Sequence, residues 1–312
     1  MTAPAQASSA PKARVSWQLL YALLGLIWGS SFLFTKLGLE VFDPVGLVFW
    51  RLVSGSAALG IIVLSLRRRL PRDLKSWALV GSGGLFMNTL PFLLYSFAQE
   101  HATSVLASII NGATPIATLL ALLTIFRSEK VRPEVITGLL IGLGGILVVF
   151  AVWNGFGTND PVAVLAMIGA ITCYGIGGPY IRRFVSPLGL QNEVAAFVQI
   201  TVSALGVLPF YLISPAPVAA LNAVSVISVV TLGAVGTGVA YIFYYRVIAV
   251  AGSAIANSVT YLTPVVAIVW GVLLLGEPVY WYEPVGGLIV VLGALVSQGR
   301  IKLRARRKET AA

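Results

Sequence analysis

Ten hydrophobic runs, each close to the length of a membrane-crossing helix, constrain this chain more than any other feature. They lie at Trp17 to Leu37, Val45 to Leu66, Leu74 to Phe97, Ala102 to Phe126, Val135 to Val152, Val162 to Ile181, Asn192 to Ile213, Ala223 to Val247, Ser253 to Leu275 and Pro284 to Ser297. The hydrocarbon layer of a bilayer is about 30 Å thick, so a helix rising 1.5 Å per residue needs roughly 20 apolar residues to cross it. Backbone N–H and C=O groups find no water there, which leaves helices and closed barrels as the only spanning structures. These runs are too long for barrel strands and lack their alternation. With 58% hydrophobic and 10% charged residues and a mean hydropathy of +0.92, the expected fold class is an all-α polytopic membrane protein with ten transmembrane helices.

Residues 1–16 are mostly Ala, Ser and Pro and read as a disordered cytoplasmic tail, while 300–312 read as a basic cytoplasmic tail. Lys12 and Arg14 precede the first run as they would in a signal peptide. That run is long and has no convincing small-residue cleavage site, so a retained helix is expected. Cys173, the single cysteine, falls inside the sixth run, which excludes an internal disulfide and suits a packing role.

The net charge of +10 is not a nucleic-acid footprint, because the basic residues sit at the ends of apolar runs and no polar basic domain exists to hold a duplex. With the N-terminus inside, the cytoplasmic segments hold Lys12 and Arg14, then Arg67, Arg68, Arg69, Arg72 and Lys75, then Arg127, Lys130 and Arg132, then Arg182 and Arg183, then Arg246 and the tail. Only Lys36 and Arg51 remain. The opposite connections carry Glu40, Asp43, Glu100, Asp160, Glu277 and Glu283 with no Lys or Arg, the asymmetry of the positive-inside rule. Both termini are expected in the cytoplasm. The basic tail is read as a topology anchor, with specific anionic-lipid binding as the alternative.

A self-comparison finds an internal repeat at an offset of 149 residues: Tyr95, Ala102, Ser104, Ala107, Thr114 and Pro115 recur as Tyr244, Ala251, Ser253, Ala256, Thr263 and Pro264. The match continues from Glu134, Gly138, Leu139, Leu143 and Gly144 to Glu283, Gly287, Leu288, Leu292 and Gly293. The two units are expected over 17–152 and 153–299. Five runs per unit is an odd number, so the second copy enters the membrane from the opposite side, the inverted repeat common among transporters. Loop charge agrees: basic Arg67 to Lys75 corresponds to the uncharged Ser214 to Asn222. Duplication for stability alone is the competing explanation, but alternating access gives the pseudo-symmetry a function.

Leu26-Ile27-Trp28-Gly29-Ser30-Ser31-Phe32 resembles the opening signature of the drug/metabolite transporter superfamily, EamA type, and Leu273-Leu274-Leu275-Gly276-Glu277-Pro278 followed by Gly286-Gly287-Leu288-Ile289 and Gly293 resembles its closing one. The resemblance runs from about Trp17 to Gln298. It implies a ten-helix carrier of amino acids, other metabolites, drugs or nucleotide sugars in a bacterial inner membrane. Within the family the chain looks most like the bacterial aromatic amino-acid exporters of the YddG type. Ser128-Glu129-Lys130 replaces Gly-Glu-Pro in the first unit, so a shared role for the two loops is not implied.

Polar groups within hydrocarbon are costly and often functional. Candidate substrate-binding residues are Asn88, Ser108, Asn111, Asn257, Thr260 and Tyr261, with Trp28 and Trp270 as cavity-wall aromatics. Amides both donate and accept, so they suit the two ends of a zwitterion, and ordinary helix-to-helix hydrogen bonding is the competing use. Tyr95 and Tyr244, repeat equivalents on opposite sides of the midplane, and Tyr241 are candidate gates, with interfacial anchoring as the alternative. Pro115 and Pro264 are expected to kink the fourth and ninth helices, as gating hinges or as tolerated irregularities. Gly138 and Gly142, with Gly287, suit close helix packing. Arg51 is expected to pair with Glu40 or Asp43, with attraction of a substrate carboxylate as the second reading.

Carboxylates map to connections, edges and tails, and His101, the single histidine, to an external turn. No proton-relay carboxylate, metal site, cofactor motif or catalytic constellation is visible, so the expectation is facilitated export of small molecules, chiefly aromatic or hydrophobic amino acids, by a monomer in contact with lipid and not nucleic acid. A transporter of drugs, nucleosides or nucleotide sugars, a channel and a membrane-embedded enzyme are the alternatives. Reporter fusions should place Arg127 to Arg132 on the cytoplasmic side, with alkaline phosphatase inactive and green fluorescent protein fluorescent when joined there; the reverse pattern overturns the charge argument.

Overall fold

The computed structural model describes residues 16–127, 133–149, 151–154, 160–213, 220–297 and 300–301. Lys12, Arg14, Lys130, Arg132, the basic residues beyond Ile301 and the Ser128-Glu129-Lys130 segment lie outside the described residues. Ten helical segments follow one another: α1 (Trp17–Leu39), α2 (Pro44–Ser65), α3 (Leu74–His101), α4 (Ser104–Thr124), α5 (Pro133–Val149), α6 (Pro161–Leu188), α7 (Asn192–Ile213), α8 (Ala223–Ala251), α9 (Ile255–Leu275) and α10 (Tyr282–Ser297). No strand occurs among the described residues. Eight of the helices are long and apolar enough to cross a membrane, whereas α5 and α10 are shorter, at 17 and 16 residues.

Local chemistry sets the helix starts. Ser16, Asp43, Asp73, Thr103, Asp160 and Asn222 each accept a hydrogen bond from a first-turn backbone N–H, satisfying donors that the helix itself leaves free. Pro44 and Pro161 follow their caps directly, where a missing N–H costs nothing.

The helices pack in reciprocal pairs. Where α3 meets α6, α8 meets α1; α3 against α7 is matched by α8 against α2, and α4 against α6 by α9 against α1. The equivalent helices α2 and α7 pack on each other, as do α5 and α10. Such exchange of roles is the mark of a two-fold relation, and because each half contributes five helices the second runs inverted to the first.

Two pairs of departures from α-helix come in equivalent places, while a further π-turn over Ile181–Val185 in α6 has no counterpart in α1. A π-helical turn occupies Leu85–Thr89 in α3 and another Ala234–Val239 in α8. In α4 the helix stops after Asn111 and restarts at Thr114, and in α9 it tightens to 3-10 geometry over Ser258–Tyr261 before restarting at Thr263. Pro115 and Pro264 each stand in the first turn of the restarted segment, so the missing N–H falls where no intrahelical partner is lost.

Between α5 and α10 the backbones themselves touch. A Cβ at Gly286 would lie 2.7 Å from the Gly145 carbonyl oxygen and 2.7 Å from the Val149 nitrogen, and one at Gly293 would lie 2.7 Å from the Gly138 oxygen. Gly287 does not share this seam: it faces Ile109 of α4 at 3.4 Å, because neighbouring positions point to different sides of a helix. Gly286→Leu is expected to lower the melting temperature in detergent, overpacking costing about 1–3 kcal/mol, while Gly206→Leu, at a position with nothing within 4 Å, leaves it unchanged.

Candidate functional site: a cavity between the two halves

A cavity of about 70 Å³ is lined by residues of both halves. From α1 it takes Trp28, Ser31, Phe32 and Thr35; from α3 it takes Met87, Phe92, Tyr95 and Gln99. Both sets follow helical spacing, one face of each helix. Asn111 and Thr114 flank the break in α4, Asn257 and Thr260 flank the 3-10 turn in α9, and Arg51, Tyr174 and Tyr241 complete the wall. Among the described residues no acidic side chain lines the space. It extends from the level of Trp28 and Tyr241 to that of Thr35 and Gln99, toward the end of the bundle that carries residues 40–43 and 102–103.

Seven of the residues singled out from sequence therefore meet at the cavity: Trp28, Arg51, Asn111, Asn257, Thr260, Tyr95 and Tyr241. The others do not line it. Asn88 is fully buried and accepts a 2.6 Å hydrogen bond from Gln199 Nε2. Ser108 donates to the Val105 carbonyl one turn back at 2.7 Å, a back-bond that turns its hydroxyl onto its own helix. Trp270 donates to Ser30 Oγ at 2.9 Å and so ties α9 to α1. Tyr261 packs with the cluster around α4, α6 and α10. Tyr244 is fully buried behind Trp28, ring centroids 5.3 Å apart. Pro115 and Pro264 shape the helix breaks without reaching the space.

The expected pairing of Arg51 with Glu40 or Asp43 does not occur. Asp43 spends its carboxylate on the Val45 and Gly46 N–H groups as the α2 cap, and Glu40 is exposed. Arg51 lies two turns deeper, 7% exposed, its Nε donating to Thr237 Oγ1 at 2.9 Å and its guanidinium 3.5 Å from the Phe92 ring centroid, a cation–π arrangement.

That contact has a twin. Gln199 follows Phe197 by two positions as Arg51 follows Phe49, and Thr237 stands 149 residues after Asn88. Arg51 of α2 thus reaches the π-turn of α8, and Gln199 of α7 reaches the π-turn of α3. Each π-turn also offers a carbonyl to an aromatic donor: Met87 O accepts from Tyr241 OH at 2.6 Å, and Gly236 O, its repeat equivalent, accepts from Trp28 Nε1 at 3.2 Å. Tyr245 OH closes the set on Gln199 Oε1 at 2.6 Å.

Two Tyr–Asn–Thr chains start from the repeat equivalents Tyr244 and Tyr95, continue through Asn and Thr residues about one helical turn out of the repeat register, and differ in length. Tyr244 OH donates to Asn257 Oδ1 at 2.6 Å, and Asn257 Nδ2 donates across the interface to Thr118 at 2.9 Å. Tyr95 OH reaches Asn111 Oδ1 only at 3.4 Å, and Asn111 Nδ2 reaches Thr263 only at 3.4 Å. Hydrogen bonds weaken toward 3.5 Å, so one Tyr–Asn–Thr chain is tight and the other slack. Sequence reading missed Ser31, Phe32, Thr35, Met87, Phe92, Gln99, Thr114 and Tyr174; helical spacing with Trp28, Asn111 and Tyr95 is the signal that identifies all but Tyr174, which stands on a separate helix, α6.

Matches to the EamA-like transporter family cover residues 15–151 and again 161–298, nearly the whole chain in two copies. The chain belongs to the EamA-like transporter family. It is a multi-pass membrane transporter and not an enzyme. It is 28% identical over 301 residues to the probable terminal-alkyne amino-acid exporter of Streptantibioticus cattleyicolor, covering 94% of this chain and 96% of that one. It is 27% identical to the uncharacterized inner membrane transporter YedA of Escherichia coli K12, covering 92% of each. A crystal structure at 21% identity superposes with a TM-score of 0.66, covering 93% of this chain and all of the other, a likeness of fold.

Both EamA-like signatures have a physical use. In the opening one, a Cβ at Gly29 would come 3.0 Å from the Thr263 carbonyl oxygen, so only glycine lets α1 lie against the restart of α9, while Trp28, Ser31 and Phe32 face the cavity. In the closing one, Gly276 ends α9 in the left-handed region at φ 62°, and Glu277 then accepts from Ser104 N at 2.8 Å, Ser104 Oγ at 2.7 Å and Val105 N at 3.1 Å. A carboxylate at the N-terminus of α4 meets both its free donors and the positive end of its dipole. Glu277→Ala leaves those buried donors unmet and is expected to cost about 1–3 kcal/mol, read as a drop in detergent melting temperature that Glu277→Gln partly restores.

Proposed function

We propose that this EamA-family transporter exports small amphipathic molecules, most simply aromatic or hydrophobic amino acids, by alternating access without an obligatory proton site. The observation that carries the reading is the unequal pair of Tyr–Asn–Thr chains, each starting from one of the two repeat-equivalent tyrosines, drawn tight at Tyr244–Asn257–Thr118 and slack at Tyr95–Asn111–Thr263. Exchange of the tight and slack states between the halves would move the cavity to the other side. With the termini cytoplasmic, as the loop charges argue, the present cavity belongs to an outward-facing state and the Tyr244 chain is its inner gate.

Aromatic walls from Trp28, Phe32, Tyr95, Tyr174 and Tyr241 suit a ring, and Asn111 and Asn257 suit the polar end of the same molecule. The similarity to an amino-acid exporter supports that substrate class. The absence of acidic residues from the cavity wall supports movement down the substrate's own gradient.

Proteoliposomes loaded with unlabelled L-phenylalanine should accumulate the labelled amino acid transiently and saturably, and Tyr244→Phe, which removes the short bond to Asn257, should lower the counterflow rate severalfold while the protein stays folded. Non-saturable flux would mark a channel, and uptake driven by a pH gradient with no substrate gradient would overturn the absence of proton coupling.

A further inference from the structure

Resting on the reading of the cavity as a carrier's substrate site, we infer that Arg51 and Gln99 make a two-point polar reader: Arg51 docks a carboxylate of the carried molecule, and the Gln99 side-chain oxygen accepts a hydrogen bond from a donor elsewhere on it. Arg51 thereby sets specificity, selecting solutes that carry a carboxylate over their neutral or purely cationic analogues.

The charge balance of the site carries the first half. Arg51 lines the cavity at 7% exposure. Its partners are a hydroxyl, Thr237 Oγ1, and a ring face, Phe92, neither of them anionic. Among the described residues the one ion pair is Arg68 with Glu193, at an exposed edge. The other basic group near this end, Lys36, is committed to the main-chain oxygens of Gln99 and Ala102 at 2.6 and 3.1 Å. A cation removed from water is costly unless an opposite charge comes to it, and here the wall supplies none. The anchoring matters too. With Nε held by Thr237 and one face covered by Phe92, the guanidinium is fixed in place, and its planar fork suits a carboxylate.

Gln99 carries the second half. It is 1% exposed, it lines the same cavity, and its Oε1 has no hydrogen-bond partner. A buried carbonyl oxygen left unmet costs free energy, and a donor brought by the substrate removes that cost. Gln99 lies seven residues beyond Phe92 on α3, about 10 Å along the helix, so the two points are set apart along the cavity, with the Tyr95 and Phe32 rings, 5.8 Å apart, between them. A carboxylate on an aromatic body with a separate donor group fits that layout.

The test uses purified protein in proteoliposomes and three labelled probes of nearly one shape: L-phenylalanine, phenylalaninamide, which lacks the carboxylate, and L-tyrosine, which adds a hydroxyl donor at the far end of the ring. The wild type should show an apparent KM for the two carboxylates about tenfold or more below that for the amide. R51Q should erase this preference by raising the carboxylate KM alone, and R51K should keep part of it. Q99L should raise the KM for tyrosine and leave that for phenylalanine unchanged. If R51Q does not fold, R51K decides: a KM for phenylalanine raised severalfold, with the amide unaffected, supports the assignment. A folded R51Q or R51K that shifts all three probes alike shows a structural role and overturns it. A wild type that carries the amide as well as the acids also overturns it while leaving the carrier reading intact; transport of none of the three overturns both.

Discussion

Hydrocarbon offers no partner to a backbone carbonyl, so a helix inside it can depart from α geometry only where the protein itself meets the freed group. The two halves of this transporter meet that demand for each other. The π-turn of α3 hands its Met87 carbonyl to Tyr241 of α8, and the π-turn of α8 hands its Gly236 carbonyl to Trp28 of α1. Gln199 and Arg51 add a second tie from the opposite half in each case. The irregular turns are therefore junctions of the inter-half interface as well as faults in single helices, and they surround the cavity.

The interface uses two kinds of contact with different consequences for motion. At α5–α10 glycines bring backbones together, and at Gly29 the Val266 side chain and the Thr263 carbonyl of α9 close directly onto the backbone of α1; a seam of that kind has little room to reshape. Around the cavity the ties are single hydrogen bonds through hydroxyls and amides, each able to exchange partners at a cost of about 1 kcal/mol. The unequal lengths of the two Tyr–Asn–Thr chains fall in this second, softer region. The closed seams suit elements that hold the halves together, and the polar chains suit elements that change.

Much of the architecture is legible without coordinates. Apolar run length is a direct response to bilayer thickness, and register between Tyr95 to Pro115 and Tyr244 to Pro264 reports duplication because a repeat preserves spacing. Pro115 and Pro264 mark broken helices because a ring without an N–H suits a first turn better than a helix interior. The site is less legible. Asn88, Asn111 and Asn257 look alike in sequence, yet Asn88 serves Gln199 while the other two reach the cavity. Arg51 has acidic residues nearby along the chain, but Asp43 is consumed by the α2 cap. Gln99 attracts no notice beside Glu100 and His101.

The sequence by itself determined the solvent, the helix count, the duplication and its inversion, because these depend on length, composition and parity, which are properties of a linear string. Which polar side chains face the cavity, which tie helices together, and which Tyr–Asn–Thr chain is tight were decided only by tertiary structure. Each of those depends on rotation of one helix about its axis relative to its partners, several of them more than a hundred residues away, and a shift of a single residue turns a side chain by about 100°.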